Sequence, residues 1–316
     1  MSGAPFVVGV NLPWLRYGGD FGANAWQPQG GVARSDLRLR VDEVFAQLAD
    51  SGLTTVRWWV LGDGRAGLRV DADGFPLGLD DYVFPDLDAG FDAATRRGIR
   101  LIPVLIDFLW FDPARSVGGV QTGGRAGLIT APESRWRLHD TVFTRIFERY
   151  RRHPAVHAWD LVNEPEWATR GLGTILPGRG IPREDMEVFL KELVALGHDW
   201  GTQPLTVGLA SASGLPLVRK LGLDFYEVHW YDSVESASPL RRPVSKLRLD
   251  RPVLLGEFPT RGSALTPAEL LHAAKEAGYS GALAWSRLAE DAFTGWSPDT
   301  EVAMAGFARD PGRGTA

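Results

Sequence analysis

Two apolar segments of the chain end on a glutamate. They are Trp159-Asp160-Leu161-Val162-Asn163-Glu164-Pro165 and Val253-Leu254-Leu255-Gly256-Glu257-Phe258. A carboxylate at the C-terminal end of a buried parallel strand points into the mouth of the sheet, where the loops build a site. Two such carboxyl groups facing each other can divide the labour of breaking a glycosidic bond: one as nucleophile, the other as proton donor and later proton acceptor. Glu164 is expected to be the acid/base and Glu257 the nucleophile. The acid must hold a proton at rest, so partial burial and the nearby Glu257 charge should raise its pKa.

The elements that position these residues alternate between strand and helix. Eight short runs rich in Val, Ile and Leu read as strands: Phe6–Leu12, Thr55–Leu61, Arg100–Asp107, Val156–Val162, Pro204–Gly208, Phe225–Trp230, Val253–Glu257 and Gly281–Trp285. Helical patterns lie between them over Ser35–Ser51, with Ser35 as N-cap and Gly52 as the stop, and over Asp86–Arg97, Arg135–Arg152, Pro182–Gly197 and Pro267–Ala277. Thr266 and Glu269 are spaced as a capping box for the last of these. A short helix is expected near Leu215–Leu221, and only a weak helical signal over Ser238–Arg251, which contains two prolines. This pattern predicts an α/β fold, a (β/α)8 TIM barrel, with residues 1–316 as a single catalytic domain. The two glutamates are 93 residues apart, which fits three β/α units of about 31 residues each and places them on strands four and seven. The segments after strands one, three and four (Pro13–Arg34, Phe108–Ser134, Asn163–Ile181) are long and rich in Gly, Pro and aromatics, as expected if they form the site. The tail Arg309–Ala316 is expected to fray.

Composition narrows the alternatives. Net charge is −5, which gives no electrostatic case for nucleic acid or an anionic membrane surface. The absence of cysteine excludes disulfides and thiolate metal sites, and the six histidines lack tight ligand spacing, so neither metal nor cofactor is expected. No lysine ends a strand to form a Schiff base, because Lys191, Lys220, Lys246 and Lys275 fall in helices or connections. The first residues show no basic leader and no run is long enough to span a bilayer, so the chain as given reads as cytoplasmic; a signal removed from it would make the protein secreted. Oligomeric state is not legible in the sequence.

The strand-end residues resemble glycoside hydrolase clan A, in particular its cellulase-like, family 5-like members. Asn163-Glu164-Pro165 closes one strand and Glu257 a strand three units later. Arg57 lies in the second strand, His229-Trp230-Tyr231 ends the sixth and Trp285 the eighth. The resemblance implies a retaining O-glycoside hydrolase acting on a β-linked oligosaccharide or polysaccharide such as a glucan or mannan. It places Arg57 near the nucleophile, Asn163 on a sugar 2-hydroxyl, and Trp285 against a sugar face, often followed by a non-proline cis peptide. Arg57 and the Tyr231 hydroxyl should favour the charged form of Glu257, and His229 should orient a carboxylate or contact sugar. Many family 5 enzymes carry a histidine after the third strand, where this chain has Asp107-Phe108-Leu109-Trp110. Asp107 is a candidate for a sugar hydroxyl. Trp14, Tyr17, Trp26, Trp59, Trp110, Trp167 and Trp296 are candidates for stacking on sugar. Glu166 is the rival acid, Asp160 and Glu227 read as structural ion-pair residues, and Gly62-Asp63-Gly64-Arg65 reads as a turn. Alternative readings are a catalytically inactive carbohydrate-binding barrel, or a clan member acting on xylosides or α-L-arabinofuranosides.

Overall fold

The computed structural model describes residues 5–173, 180–235 and 240–309. Eight parallel strands close into a barrel in chain order: β1 (Val7–Leu12), β2 (Thr55–Trp59), β3 (Arg100–Asp107), β4 (Trp159–Asn163), β5 (Leu205–Leu209), β6 (Tyr226–His229), β7 (Val253–Pro259) and β8 (Gly281–Trp285). β1 pairs with both β2 and β8, so the sheet has no free edge. Helices surround it: α1 (Ser35–Asp50), α2 (Val83–Arg97), α3 (Pro132–Leu138), α4 (Thr144–Tyr150), α5 (Arg183–Trp200), α6 (Pro267–Ala277) and α7 (Pro298–Arg309).

Most expected elements are present, with several corrections. Arg34, not Ser35, occupies the N-cap of α1: its backbone is extended and Ser35 already turns with the helix. The helix expected over Arg135–Arg152 starts earlier, at Pro132, and is interrupted by a π turn at His139–Phe143 between α3 and α4. β4 starts at Trp159, because Val156 makes only an isolated bridge to Leu101. Of Ser238–Arg251, the described part contains a 3-10 turn at Val244–Leu247. The tail beyond Arg309 and residues 174–179 of the long loop after β4 lie outside the described residues. α7 and two loop hairpins, Leu68–Val70 with Pro76–Leu79 and Arg115–Val117 with Val120–Thr122, were not expected from the sequence. The capping box forms as expected, with Thr266 and Glu269 bonding each other's backbone at the start of α6.

The outer core lies between strands and helices. Trp58 of β2 faces outward, packing on Phe21 at 4.7 Å and on Phe45 of α1 at 5.6 Å. Helix α2 comes close because Gly90 has no side chain: a Cβ there would stand 3.0 Å from the Trp58 ring. The neighbouring residue Arg57 faces the barrel axis. Its register partners Asn11 and Ile102 share that face. Ile102, Ala158, Leu254 and Leu283 form a small apolar cluster of their own on this inner side. They fill the barrel beneath a layer of buried polar side chains, Asn11, Arg57, Asp160 and Glu227.

Two strands carry one extra residue each, and both lead to a glutamate. Along β4 and β5 the register passes from Asp160↔Thr206 to Asn163↔Gly208, three residues against two. Along β7 and β8 it passes from Leu255↔Ala282 to Phe258↔Ala284, again three against two. The same slip shows against β6, where Val228 pairs with Leu255 and His229 with Glu257. An extra residue bends a strand and re-aims its side chains, and here it does so at the last turns before Glu164 and at Glu257 itself.

Candidate active site

Glu164 and Glu257 meet at the C-terminal mouth of the barrel. Oxygens of the two carboxyl groups and a ring nitrogen of His229 lie within 4.8 Å of one another. The two glutamates line a cleft of about 380 Å³ together with Trp59, Asp107, Asn163 and Trp285. Glu164 holds a left-handed backbone, φ 48° and ψ 47°, between β4 and the single helical turn Pro165–Ala168. For a residue with a side chain this costs about 1 kcal/mol. The conformation is held by the Glu164 N–H, which donates to Gly208 O at 2.6 Å, and by Pro165, which starts the turn.

Glu257 is buried and its partners occupy both oxygens. Arg57 Nη1 donates to Oε1 at 2.7 Å, and the Tyr231 hydroxyl donates to Oε2 at 2.7 Å. Burial lifts this carboxyl above its ordinary value; His229 opposes that, Glu164 adds to it, and Arg57 and Tyr231 draw it back. Burial and the Glu257 charge raise the Tyr231 phenol, so Tyr231 stays a donor. His229 Nδ1 lies 2.7 Å from Glu164 Oε1 and 3.6 Å from Glu257 Oε2. Burial alone would lower its pKa, but the Glu257 charge and the hydrogen bond to Glu164, with Glu227 also nearby, reverse this and lift it to about 10. His229 is therefore placed as a cation between the two carboxyl groups. Its side chain is fully buried against the two carboxyl groups and lies outside the lining of the cleft.

Arg57 organises the layer below. It pairs with Asp160 at 2.5 Å, with Glu227 at 2.9 Å and with Glu257, and it donates to Asn11 Oδ1 at 3.1 Å and Asn163 Oδ1 at 2.6 Å. Its guanidinium also lies 4.4 Å from the centre of the Trp59 ring. Asp160 and Glu227 are the ion-pair residues expected. Burial pushes Asp160 up to about 7 despite Arg57. Such a cluster is held by mutual compensation, since deleting one member of a buried pair costs about 3–5 kcal/mol. Two strand glycines make room for it. A Cβ on Gly208 would lie 2.6 Å from Arg57 Nη2, and one on Gly256 would lie 2.1 Å from Glu227 Oε1.

Asn163 is fixed at both ends of its amide. Its oxygen accepts from Arg57 and its Nδ2 donates to Asp107 Oδ2 at 2.8 Å. Asp107 also accepts from Trp59 Nε1 at 3.1 Å and from the Leu109 N–H at 2.9 Å. Burial raises Asp107 to about 7, in spite of these donors. Trp285 faces Trp59 edge-on at 5.5 Å and donates to Asp291 at 3.3 Å, and a cis peptide joins it to Ser286.

The aromatic candidates divide. Trp14, Tyr17, Trp59 and Trp167 line the cleft. Trp110 does not: it is fully buried in the core, and its Nε1 donates to Leu61 O at 3.2 Å. The 3-10 turn Phe108–Phe111 rolls it inward and presents Phe108 and Leu109 to the cleft instead. Trp296 bonds Glu301 at the start of α7, and Trp26 donates to Gly118 O at 3.2 Å, both away from the lining. Glu166, the rival acid, is buried behind the turn, accepting from the Ser211 N–H at 3.3 Å; burial raises it to about 8. Asn11 was missed by the sequence reading. It donates to Gly256 O at 2.8 Å while accepting from Arg57, which ties β1 to the bulge of β7. Its signal was a polar residue inside a buried strand. Phe293 also lines the cleft, edge-on to Tyr231 at 5.3 Å.

Glu164, His229 and Glu257 are also the group of ligand-type atoms that converges among the described residues. Their lone pairs are already engaged by Arg57, Tyr231 and one another, and the two cations beside them supply the counter-charge, so the donor set does not suit a metal.

No family model matches the chain. It is 25% identical over 323 residues to the mannan endo-1,4-beta-mannosidase of Mytilus edulis, a match spanning 89% of this chain and 83% of that one. It is 32% identical over 180 residues to mannan endo-1,4-beta-mannosidase 8 of Oryza sativa, spanning 52% of this chain but only 44% of the rice protein. The crystal structure of the Mytilus edulis beta-mannanase superposes with a TM-score of 0.78 at 22% identity, covering 96% of this chain and 92% of that one. These relatives and the shared barrel, with the strand-end residues now seen to converge, support the likeness to the clan A, family 5-like glycoside hydrolases.

Proposed function

We propose that the protein is a retaining endo-β-1,4-mannanase, cleaving a mannan or manno-oligosaccharide by double displacement with Glu257 as nucleophile and Glu164 as acid/base. The observation that carries the mechanism is the approach of the two carboxyl groups, whose nearest oxygens lie within 4.8 Å. Retaining enzymes hold this pair about 5–5.5 Å apart, whereas inverting ones leave several ångströms more for a water. The choice of mannan rests on the relatives, which are named for it.

Glu257, pinned by Arg57 and Tyr231, attacks the anomeric carbon while Glu164 protonates the departing oxygen. Glu164 then removes a proton from the water that releases the sugar. His229 touches Glu164 directly and has Glu257 within 3.6 Å, so it can offset whichever carboxylate is charged at each stage. Asn163, with its oxygen held by Arg57, keeps one Nδ2 proton beyond the one given to Asp107. That proton is available to a 2-hydroxyl, where such bonds strengthen in the transition state. Trp285, Trp59 and Trp167 supply ring surfaces for the sugars.

The test is product release from β-1,4-linked manno-oligosaccharides, with glucan, xyloside and α-L-arabinofuranoside substrates alongside, by wild type, Glu257→Gln and Glu164→Gln. Wild-type turnover of the mannan series that falls by several orders of magnitude in Glu257→Gln is the expected result. Turnover of a different series replaces the substrate. Binding without turnover by the wild type replaces the enzyme with a sugar-binding barrel.

A further inference from the structure

Away from the glutamates, the wall of the cleft formed by the loops after β1 and β2 holds another built polar group. Asp63 and Arg65 form a forked pair, with Arg65 Nε 2.8 Å from Oδ1 and 3.0 Å from Oδ2, and Nη2 also on Oδ2. The Arg65 N–H donates to the same carboxylate at 3.2 Å. The guanidinium lies 4.1 Å from the centre of the Tyr17 ring and 5.3 Å from that of Trp26. Side-chain exposure is 7% for Arg65 and 10% for Asp63, yet both line the cleft, as does Tyr17. The first loop is shaped around this arrangement: Gly18 has φ +62°, and a Cβ there would lie 2.2 Å from Arg65 Cδ. The sequence reading took Gly62–Arg65 for a plain turn, and neither Asp63 nor Arg65 takes part in the hydrogen bonds around Glu164 and Glu257.

A pair that merely tied the two loops together would have no reason to face the cleft. This one presents an oriented, neutral donor–acceptor unit beside an aromatic ring, the combination that suits vicinal hydroxyls and the apolar face of a pyranose. Asp63 uses Nε and Nη2, which leaves the Nη1 donors for a ligand beside the Tyr17 ring. The polarity of the cleft follows from the acid. Glu164 protonates the departing oxygen, so the leaving sugars lie on its side, with Trp167. The sugars retained on Glu257 extend toward the opposite wall. We propose that Asp63, Arg65 and Tyr17 form a distal sugar subsite on the glycone side, holding a ring at least one unit beyond the sugar attacked by Glu257 and so setting the preference for longer chains. This rests on the glycosidase reading above.

The test compares wild type and Arg65→Met, which keeps the stem and removes the fork, on reducing-end-labelled β-1,4-manno-oligosaccharides from trimer to hexamer. Asp63→Asn serves as a second variant. In wild type, kcat/KM rises with chain length. In Arg65→Met that rise shrinks by roughly tenfold, the effect of a lost charge-assisted contact, and cleavage moves toward the non-reducing end. An equal fall at every length, accompanied by a lower Tm, would mean a structural staple and overturn the proposal. A shift of cleavage toward the reducing end would put the subsite on the leaving-group side and overturn the assignment. The second measurement is calorimetric titration of mannohexaose into Glu257→Gln and into Glu257→Gln/Arg65→Met, which needs no turnover. Weaker binding by the double variant supports the subsite even if the hydrolysis reading fails, and equal binding sinks it.

Discussion

A Cβ on Gly256 would stand 2.1 Å from Glu227 Oε1 and 2.5 Å from its Cγ. Gly256 sits within the bulge that turns Glu257 toward Glu164, and Glu227 lies 2.9 Å from the Arg57 nitrogen Nε. The glycine is thus required by a buried carboxylate one strand away, and through Arg57 the spacing of that carboxylate reaches the nucleophile.

Gly256→Ala should therefore damage catalysis more than folding. The methyl group must displace Glu227 or open the bulge, an overpacking cost of about 1–3 kcal/mol. Either movement shifts Arg57 or Glu257, and a misplacement near 1 Å can cost about 10²-fold in rate. Chemical denaturation and kcat measured on the same preparation check this. A variant that keeps wild-type kcat would show that the bulge tolerates a side chain and that Glu227 does not set the position of Glu257.

The two tryptophans that looked alike in sequence should behave differently. Trp110 is a core residue, so Trp110→Ala should lower stability by about 3–5 kcal/mol. Trp167 lines the cleft, so Trp167→Ala should leave stability nearly unchanged and raise KM by several-fold to about tenfold, in line with roughly 0.5–1.5 kcal/mol for an aromatic contact. Thermal unfolding and Michaelis–Menten kinetics on both variants decide it, and a KM effect from Trp110→Ala in a protein of wild-type stability would reverse the assignment.

The contrast between these tryptophans marks where sequence reading stops. The barrel was legible because strands covered on both faces must be apolar throughout, and eight such runs stand out between amphipathic helices. Glu164, Glu257, Arg57, Asn163, His229, Tyr231 and Trp285 were legible because each ends or occupies a strand, and strand ends converge by topology. The bulges in β4 and β7 were not: a strand buried on both sides has no alternation of polarity for an extra residue to break. Trp110 was misplaced because a loop tryptophan carries no sign of which way a 3-10 turn will roll it. Asp63 and Arg65 looked like a turn because their spacing is that of a turn. Their second function depends on Tyr17, which comes from another loop.

The charge on His229 gives the site a signature in stability against pH. Its folded pKa of about 10 lies above its ordinary value of 6.5. A group raised in this way binds more protons in the folded state than in the unfolded one across that interval. Its stabilising contribution is fully present below pH 6.5 and is lost as pH rises through about 10. Asp107, Asp160 and Glu166 are also raised, to about 7, 7 and 8, but they have lost most of their contribution by the upper part of this window. Between roughly pH 8 and 9 the fall in unfolding free energy should therefore be carried mainly by His229, before the raised Tyr150, Tyr231 and Tyr279 phenols add their own slope nearer pH 10. Urea unfolding of wild type should show declining stability across this range, and His229→Gln, less stable at pH 7, should show a flatter profile. Parallel slopes for the two proteins would mean that His229 is neutral in the folded state, and the placing of an imidazolium between the two carboxyl groups would have to be abandoned.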